Sequence, residues 1–229
     1  ESQNGFDNGG LTGVCKWAQN TDLVEYTLNV LERLARRYRD EPALHSIEVL
    51  NEPVSWSVFH STSNTAKDSH EASGSTYVSL RFLKRFYRDA YARLRAVLRP
   101  ETVIVFHDGF RLLRWGGWFR RAGMRNVMLD THQYLIAMED PLFSGPARRL
   151  YLRSRRLPWL YRMLVGEWCV ENQWALHSQN RSAAYRQVSR LQRAAWDVSA
   201  GQIYWSYQLA RSAKPGSGEG KPPRDPRNG

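Results

Sequence analysis

Five short apolar runs are spaced along this chain of 229 residues, and each closes on residues that carry chemistry. Ile47 to Leu50 delivers Asn51-Glu52, and Val103 to Phe106 delivers His107-Asp108. Val127 to Asp130 leads to His132 and Tyr134, Leu164-Val165 delivers Glu167, and Ile203-Tyr204-Trp205-Ser206 ends the series. Runs this short and this apolar read as strands covered on both faces, the habit of parallel sheets. Between them the apolar period changes to that of helices. Val24, Leu28, Leu31, Leu34 and Ala35 share one face of a helix that Thr21 or Asp22 is placed to cap and that ends near Tyr38. Leu80, Leu83, Phe86, Ala90 and Leu94 mark a helix over about 77–98. A short helix is expected around 112–122, and Val188, Leu191, Ala195 and Val198 mark another over about 183–198.

Strands alternating with helices give an α/β fold with a parallel sheet. A doubly wound sheet concentrates its site at one switch point, whereas a (β/α)8 TIM barrel equips the C-terminal ends of successive strands. All five ends are equipped here and no Gly-rich phosphate loop is present, so the barrel is the expected fold. Five strands are not eight. The expectation is therefore a chain carrying about the last five strand–helix units, with the first three lying before Glu1. Residues 1–211 would form this partial barrel domain, and 212–229, rich in Gly and Pro, would be a disordered tail. Residues 1–20 read as loop, and the polar, Ser/Thr-rich stretch 54–75 reads as a long loop of the kind that usually serves function.

The formal charge of +11, with 28 of the 33 basic residues Arg, invites a nucleic-acid partner. The Arg residues, however, are scattered over helix-like segments rather than gathered into one surface. The densest stretch, RRLYLRSRRLPWLYR at 148–162, reads as a solvated connection between two strands. No nucleic-acid partner is expected. Nor is a membrane, because no apolar run reaches the roughly 18 residues of a spanning helix. Cys15 and Cys169 fit no metal-binding spacing and read as free buried thiols, with a single disulfide the alternative.

Two strand ends carry a glutamate inside a motif: Glu48-Val49-Leu50-Asn51-Glu52-Pro53 and Gly166-Glu167-Trp168. Breaking a glycosidic bond needs one carboxyl to protonate the leaving oxygen and another to attack or stabilise the sugar carbon. The acid must hold a proton near neutral pH, and the nucleophile must stay ionised. Together with Ser2-Gln3-Asn4-Gly5-Phe6-Asp7-Asn8, Val105-Phe106-His107-Asp108, Leu129-Asp130-Thr131-His132-Gln133-Tyr134 and Tyr204-Trp205-Ser206-Tyr207, these motifs resemble glycoside hydrolase family 5, and within it the exo-β-1,3-glucanase branch. The motifs stand in the family's order and span the chain to about Leu209.

The resemblance implies a retaining glycoside hydrolase that cleaves β-glucosidic bonds in β-glucan or a β-glucoside, without cofactor or metal. It implies Glu52 as acid/base, Glu167 as nucleophile and Asn51 as a ligand of the sugar 2-hydroxyl. His132 and Tyr134 would line the glycone site, Trp205 would be its aromatic floor, and Trp168 would be structural. His107 either contacts sugar or packs beneath the site. Asn4 and Phe6 rim the site, unless Asn4-Gly5 serves only as a turn. The family has Trp-Ser-Trp where this chain has Trp205-Ser206-Tyr207, and the family's His and substrate-binding Arg that precede the Ser-Gln-Asn loop have no counterpart here. An extracellular or cell-surface location follows from the resemblance, with the cytoplasm as alternative. The alternative function is a truncated carbohydrate-binding relative without catalysis.

Overall fold

Helix α1 (Thr21–Tyr38) begins at Asn20, whose extended backbone lets its side-chain oxygen accept from the amides of Asp22 and Leu23 at 3.0 and 3.2 Å. The cap is therefore Asn20 and not Thr21 or Asp22, which already lie in the first helical turn where free amides need an acceptor from outside. A computed structural model of the chain describes residues 2–6, 12–62, 66–134 and 163–206. The Arg-rich stretch 148–162 and the 212–229 tail lie outside the described residues.

On α1, Leu28, Leu31 and Ala35 are buried, whereas Leu34 is 42% exposed. Leu34 continues instead an outward row with Tyr26, Val30 and Tyr38 at four-residue spacing. Strand β1 (Ser46–Glu48) stops two residues before the expected Leu50, although the amide of Val49 still donates to the carbonyl of Val105 at 3.0 Å. The stretch 54–75 is not simply loop. It forms α2 (Trp56–Thr62) and α3 (Ser69–Ala72). Ser55 Oγ accepts from the amide of Val58, and Asp68 Oδ1 from those of His70 and Glu71. The same polar residues that suggest loop are helix caps, and helices of seven and four residues are too short to show a repeating apolar period.

Helix α4 (Leu80–Arg95), capped by Ser79, is shorter at both ends than expected and buries Leu83, Phe86, Tyr87, Ala90 and Leu94. Strand β2 (Val103–His107) follows. The helix expected around 112–122 is split into a 3₁₀ turn (Leu112–Trp115) and α5 (Trp118–Arg121), because Gly117 takes a φ of 65° between them. Strand β3 (Val127–Gln133) is followed, after the undescribed stretch, by β4 (Met163–Trp168), α6 (Gln173–Leu176), α7 (Arg181–Trp196) and β5 (Gly201–Tyr204). The last strand starts earlier than expected and ends before Trp205.

The strands follow one another in chain order, β1-β2-β3-β4-β5. β1 pairs parallel with β2, β2 with β3 and β4 with β5. Parallel strands in sequential order with helices between them are the pattern of part of a (β/α)8 barrel. The chain divides into two compact units, Glu1–Thr131 and His132–Gly229. In the first, Phe106 of β2 lies against Tyr87 and Phe119, with ring centroids 4.7 and 5.3 Å away. The two-residue period of a strand then turns His107 to the opposite face from these helical residues. In the second, Val165 and Trp168 of β4 pack with Ala195 and Trp196 of α7. Both cysteines are free thiols. Cys15 is buried and its pKa is pushed up to about 12 by that burial. Cys169, expected to be buried, is half-buried.

Candidate active site

In the first unit the structure gathers Asn4, Phe6, Asn51, Glu52 and His107 around the C-terminal ends of β1 and β2. Glu52 is buried and has a φ of 48°. That left-handed conformation disfavours any side chain except where the surroundings impose it. A glycine would sit there more easily, so the side chain accounts for the residue's presence.

The N-terminal segment braces this turn. Gln3 Nε2 donates to the carbonyl of Asn51 at 2.7 Å, and the amide of Val54 donates to the carbonyl of Gln3 at 3.2 Å. Asn4 is buried, and its Oδ1 accepts from Ser2 Oγ and from the amide of Phe6, both at 2.9 Å. This is the turn geometry, with Gly5 at a φ of 72°. Phe6 meets Phe110 edge-on at 6.2 Å, and Phe110 meets His107 at 5.3 Å.

His107 is fully buried, and its Nδ1 accepts from the amide of Gly109 at 2.9 Å. An accepting Nδ1 puts the proton of a neutral imidazole on Nε2. Asp108 accepts from the amide of Phe110 at 2.7 Å and from the hydroxyl of Thr131 at 2.8 Å. Neither Gln3 nor Arg111, which also reaches the turn after Glu52, stands out in the sequence as a site residue. Gln3 sits inside a quoted motif, but Arg111 is one of 28 arginines and nothing in the sequence distinguishes it.

In the second unit Glu167 closes β4. Its Oε2 accepts from the hydroxyl of Tyr134 at 2.5 Å and lies 3.2 Å from His132 Nδ1. His132 and Tyr134 are two residues apart, so the period of an extended chain turns both to the same side. Burial alone would raise the pKa of Glu167, but the hydrogen bonds from His132 and Tyr134, with the charge of His132, outweigh it and hold the carboxyl below its ordinary value. Trp168 turns into the core and meets Tyr204 edge-on at 5.1 Å. Trp205 follows β5, its amide donating to the carbonyl of Trp168 at 2.9 Å, while its side chain is 58% exposed. An indole so presented has the area and the open face that a sugar ring stacks on.

Carboxylates and aromatic side chains at the ends of sequential parallel strands have the constitution of a barrel hydrolase of the glycosidase type. No protein-family model matches the chain. It is 32% identical over 174 residues to a glucan 1,3-β-glucosidase of Blumeria graminis, an alignment covering 73% of this chain and 35% of the relative. It is 37% identical over 136 residues to a probable glucan 1,3-β-glucosidase A of Emericella nidulans, covering 59% and 28%. A probable glucan 1,3-β-glucosidase A of Aspergillus niger is 33% identical over 136 residues, covering 59% and 27%. The chain is a relative of the glucan 1,3-β-glucosidases, as its motifs anticipate. The alignments span 27–35% of the length of these relatives.

Proposed function

We propose that this chain is the catalytic part of a retaining glycoside hydrolase of family 5, of the exo-β-1,3-glucanase or β-glucosidase type, acting on β-glucan or a β-glucoside. The observation that carries the reading is Glu167. A nucleophile must be ionised, and this carboxyl is held so by Tyr134 and His132 against its burial. In the first step a Glu167 oxygen attacks the anomeric carbon while the Glu52 carboxyl protonates the departing oxygen, leaving a glycosyl-enzyme ester. In the second step Glu52, now a carboxylate, takes a proton from water, which attacks the same carbon and frees Glu167.

Asn51 would bond the 2-hydroxyl, whose contacts strengthen in the transition state. Trp205 would be the platform under the sugar, and His132 would hold both Glu167 and a glycone hydroxyl. His107, Asn4 and Phe6 would shape the rim. The kinship with fungal glucan glucosidases supports a secreted or cell-wall setting, and among the described residues no helix is long and apolar enough to cross a membrane.

The test uses the whole chain with aryl β-glucosides and laminari-oligosaccharides. Glu167→Ala should lose turnover on every substrate. Glu52→Ala should keep the first step for good leaving groups, and azide should restore its turnover as a β-glucosyl azide product. Proton NMR should show the β-anomer released first. Equal losses in both variants without azide rescue would reverse or refute these roles. Binding of oligosaccharides without any turnover would make the chain a non-catalytic carbohydrate-binding relative.

A further inference from the structure

The guanidinium of Arg111 is half-buried in the first unit and, among the described residues, donates to main-chain carbonyls. Its Nη1 reaches the carbonyl of Gly109 at 3.1 Å, and its Nη2 reaches that of Val54 at 3.3 Å and that of Val78. These carbonyls belong to three separate segments: the turn after β2, the chain two residues past Glu52, and the approach to α4. The segments also touch directly. The amide of Val78 donates to the carbonyl of Val54 at 3.0 Å. At Gly109, a Cβ would stand 3.1 Å from the carbonyl oxygen of Pro53, so the β2 turn passes tightly over the residue that follows Glu52.

Glu52 itself has a left-handed backbone, a conformation that relaxes unless its neighbours hold both sides. Gln3 holds Asn51 on one side of Glu52 and the amide of Val54 on the other. Arg111 and the amide of Val78 together hold the carbonyl of Val54. The planar fork of Arg111 binds several oxygens in fixed directions, which a flexible ammonium group would do less rigidly.

We propose that Arg111 is a positioning residue that locks the segment 51–54 to the β2 turn and thereby fixes the direction in which Glu52 presents its carboxyl for proton transfer. The inference rests on the reading of Glu52 as acid/base. General acid catalysis matters most when the leaving group is a poor one, so a misdirected acid has a signature that loss of folded protein lacks. A smaller folded fraction lowers kcat/KM equally for all leaving groups. A misdirected Glu52 lowers it selectively.

The experiment measures kcat/KM of the whole chain and of Arg111→Met on aryl β-glucosides whose phenols range from dinitrophenol to unsubstituted phenol. It also measures amide hydrogen exchange of both proteins. The expected loss is about 10- to 100-fold with phenol and less than about threefold with dinitrophenol, with Arg111→Lys between the two proteins. Exchange at Val54, Val78 and Gly109 should quicken by at least about tenfold, while α1 and α7 stay unchanged. Equal loss across the leaving groups, or unchanged exchange at those three amides, overturns the proposal. If the wild type hydrolyses none of these glucosides, the functional reading falls, and exchange alone decides: quickening confined to the three segments retains Arg111 as their lock, and no change removes it.

Discussion

Glu167 shows how a single carboxyl is tuned by neighbours that the sequence separates widely. Burial opposes its charge, and hydrogen bonds from His132 at the end of β3 and from Tyr134 just past it overcome that opposition. Tyr134→Phe removes one of them. The pKa of Glu167 should rise, so the acidic limb of the kcat/KM profile should move toward neutrality, with activity on that limb falling relative to wild type. The same sign governs stability. A carboxyl with a depressed folded pKa contributes stability that is fully present above the ordinary value of 4.5 and is lost as pH falls through the folded value. Acid unfolding followed by tryptophan fluorescence should show Tyr134→Phe losing less on acidification than wild type. An unmoved acidic limb would mean that the hydroxyl of Tyr134 does not set the charge of Glu167. Gly109 is a second residue with a sharp expectation. Its φ of 59° and the nearby Arg111 Nη1, Leu83 and Pro53 oxygen leave no room for a Cβ. Gly109→Ala should destabilise the chain by about 1–3 kcal/mol in urea denaturation.

At the scale of elements, the long amphipathic helices α1, α4 and α7 were legible because their apolar faces repeat over several turns. Their limits were less so. The cap of α1 is decided by whether one side-chain oxygen reaches two amides, a matter of ångströms, and Asn20 wins over Thr21 and Asp22. Asn20→Ala should lower the urea midpoint by the equivalent of about 1 kcal/mol, while Thr21→Ala should change it by less. The helices α2 and α3 were hidden because, at seven and four residues, neither is long enough to repeat an apolar stripe, and their caps are the Ser and Asp of a loop-like stretch. The strands were found through their apolar runs. Their ends shifted by one to three residues, since pairing with the neighbouring strand, which no local pattern encodes, decides where a strand stops.

For the molecule as a whole, the excess of basic over acidic residues is +11, and arginine ion pairs seen among the described residues, such as Arg93 with Glu25 and Arg36 with Glu32, lie at the surface. Exposed pairs contribute little, so mutual repulsion among the arginines should dominate the salt response. Raising NaCl from about 20 to 200 mM, which shortens the screening length to less than about 10 Å, should raise the melting temperature at pH 7 by a few degrees. A lower melting temperature in salt would mean that attractive pairs outweigh that repulsion. The sequence by itself determined the alternation of strands and helices, the parallel sheet and the residues on which each strand closes. Such features repeat along the chain or stand inside motifs, and both are local. Only the tertiary structure decided that Glu52 sits in a left-handed turn braced by Gln3, that Arg111 reaches three carbonyls, and that Tyr134 and His132 hold Glu167. Each of these depends on which segments meet in space, and a hydrogen bond between residues 57 apart leaves no mark on either one's neighbours in sequence.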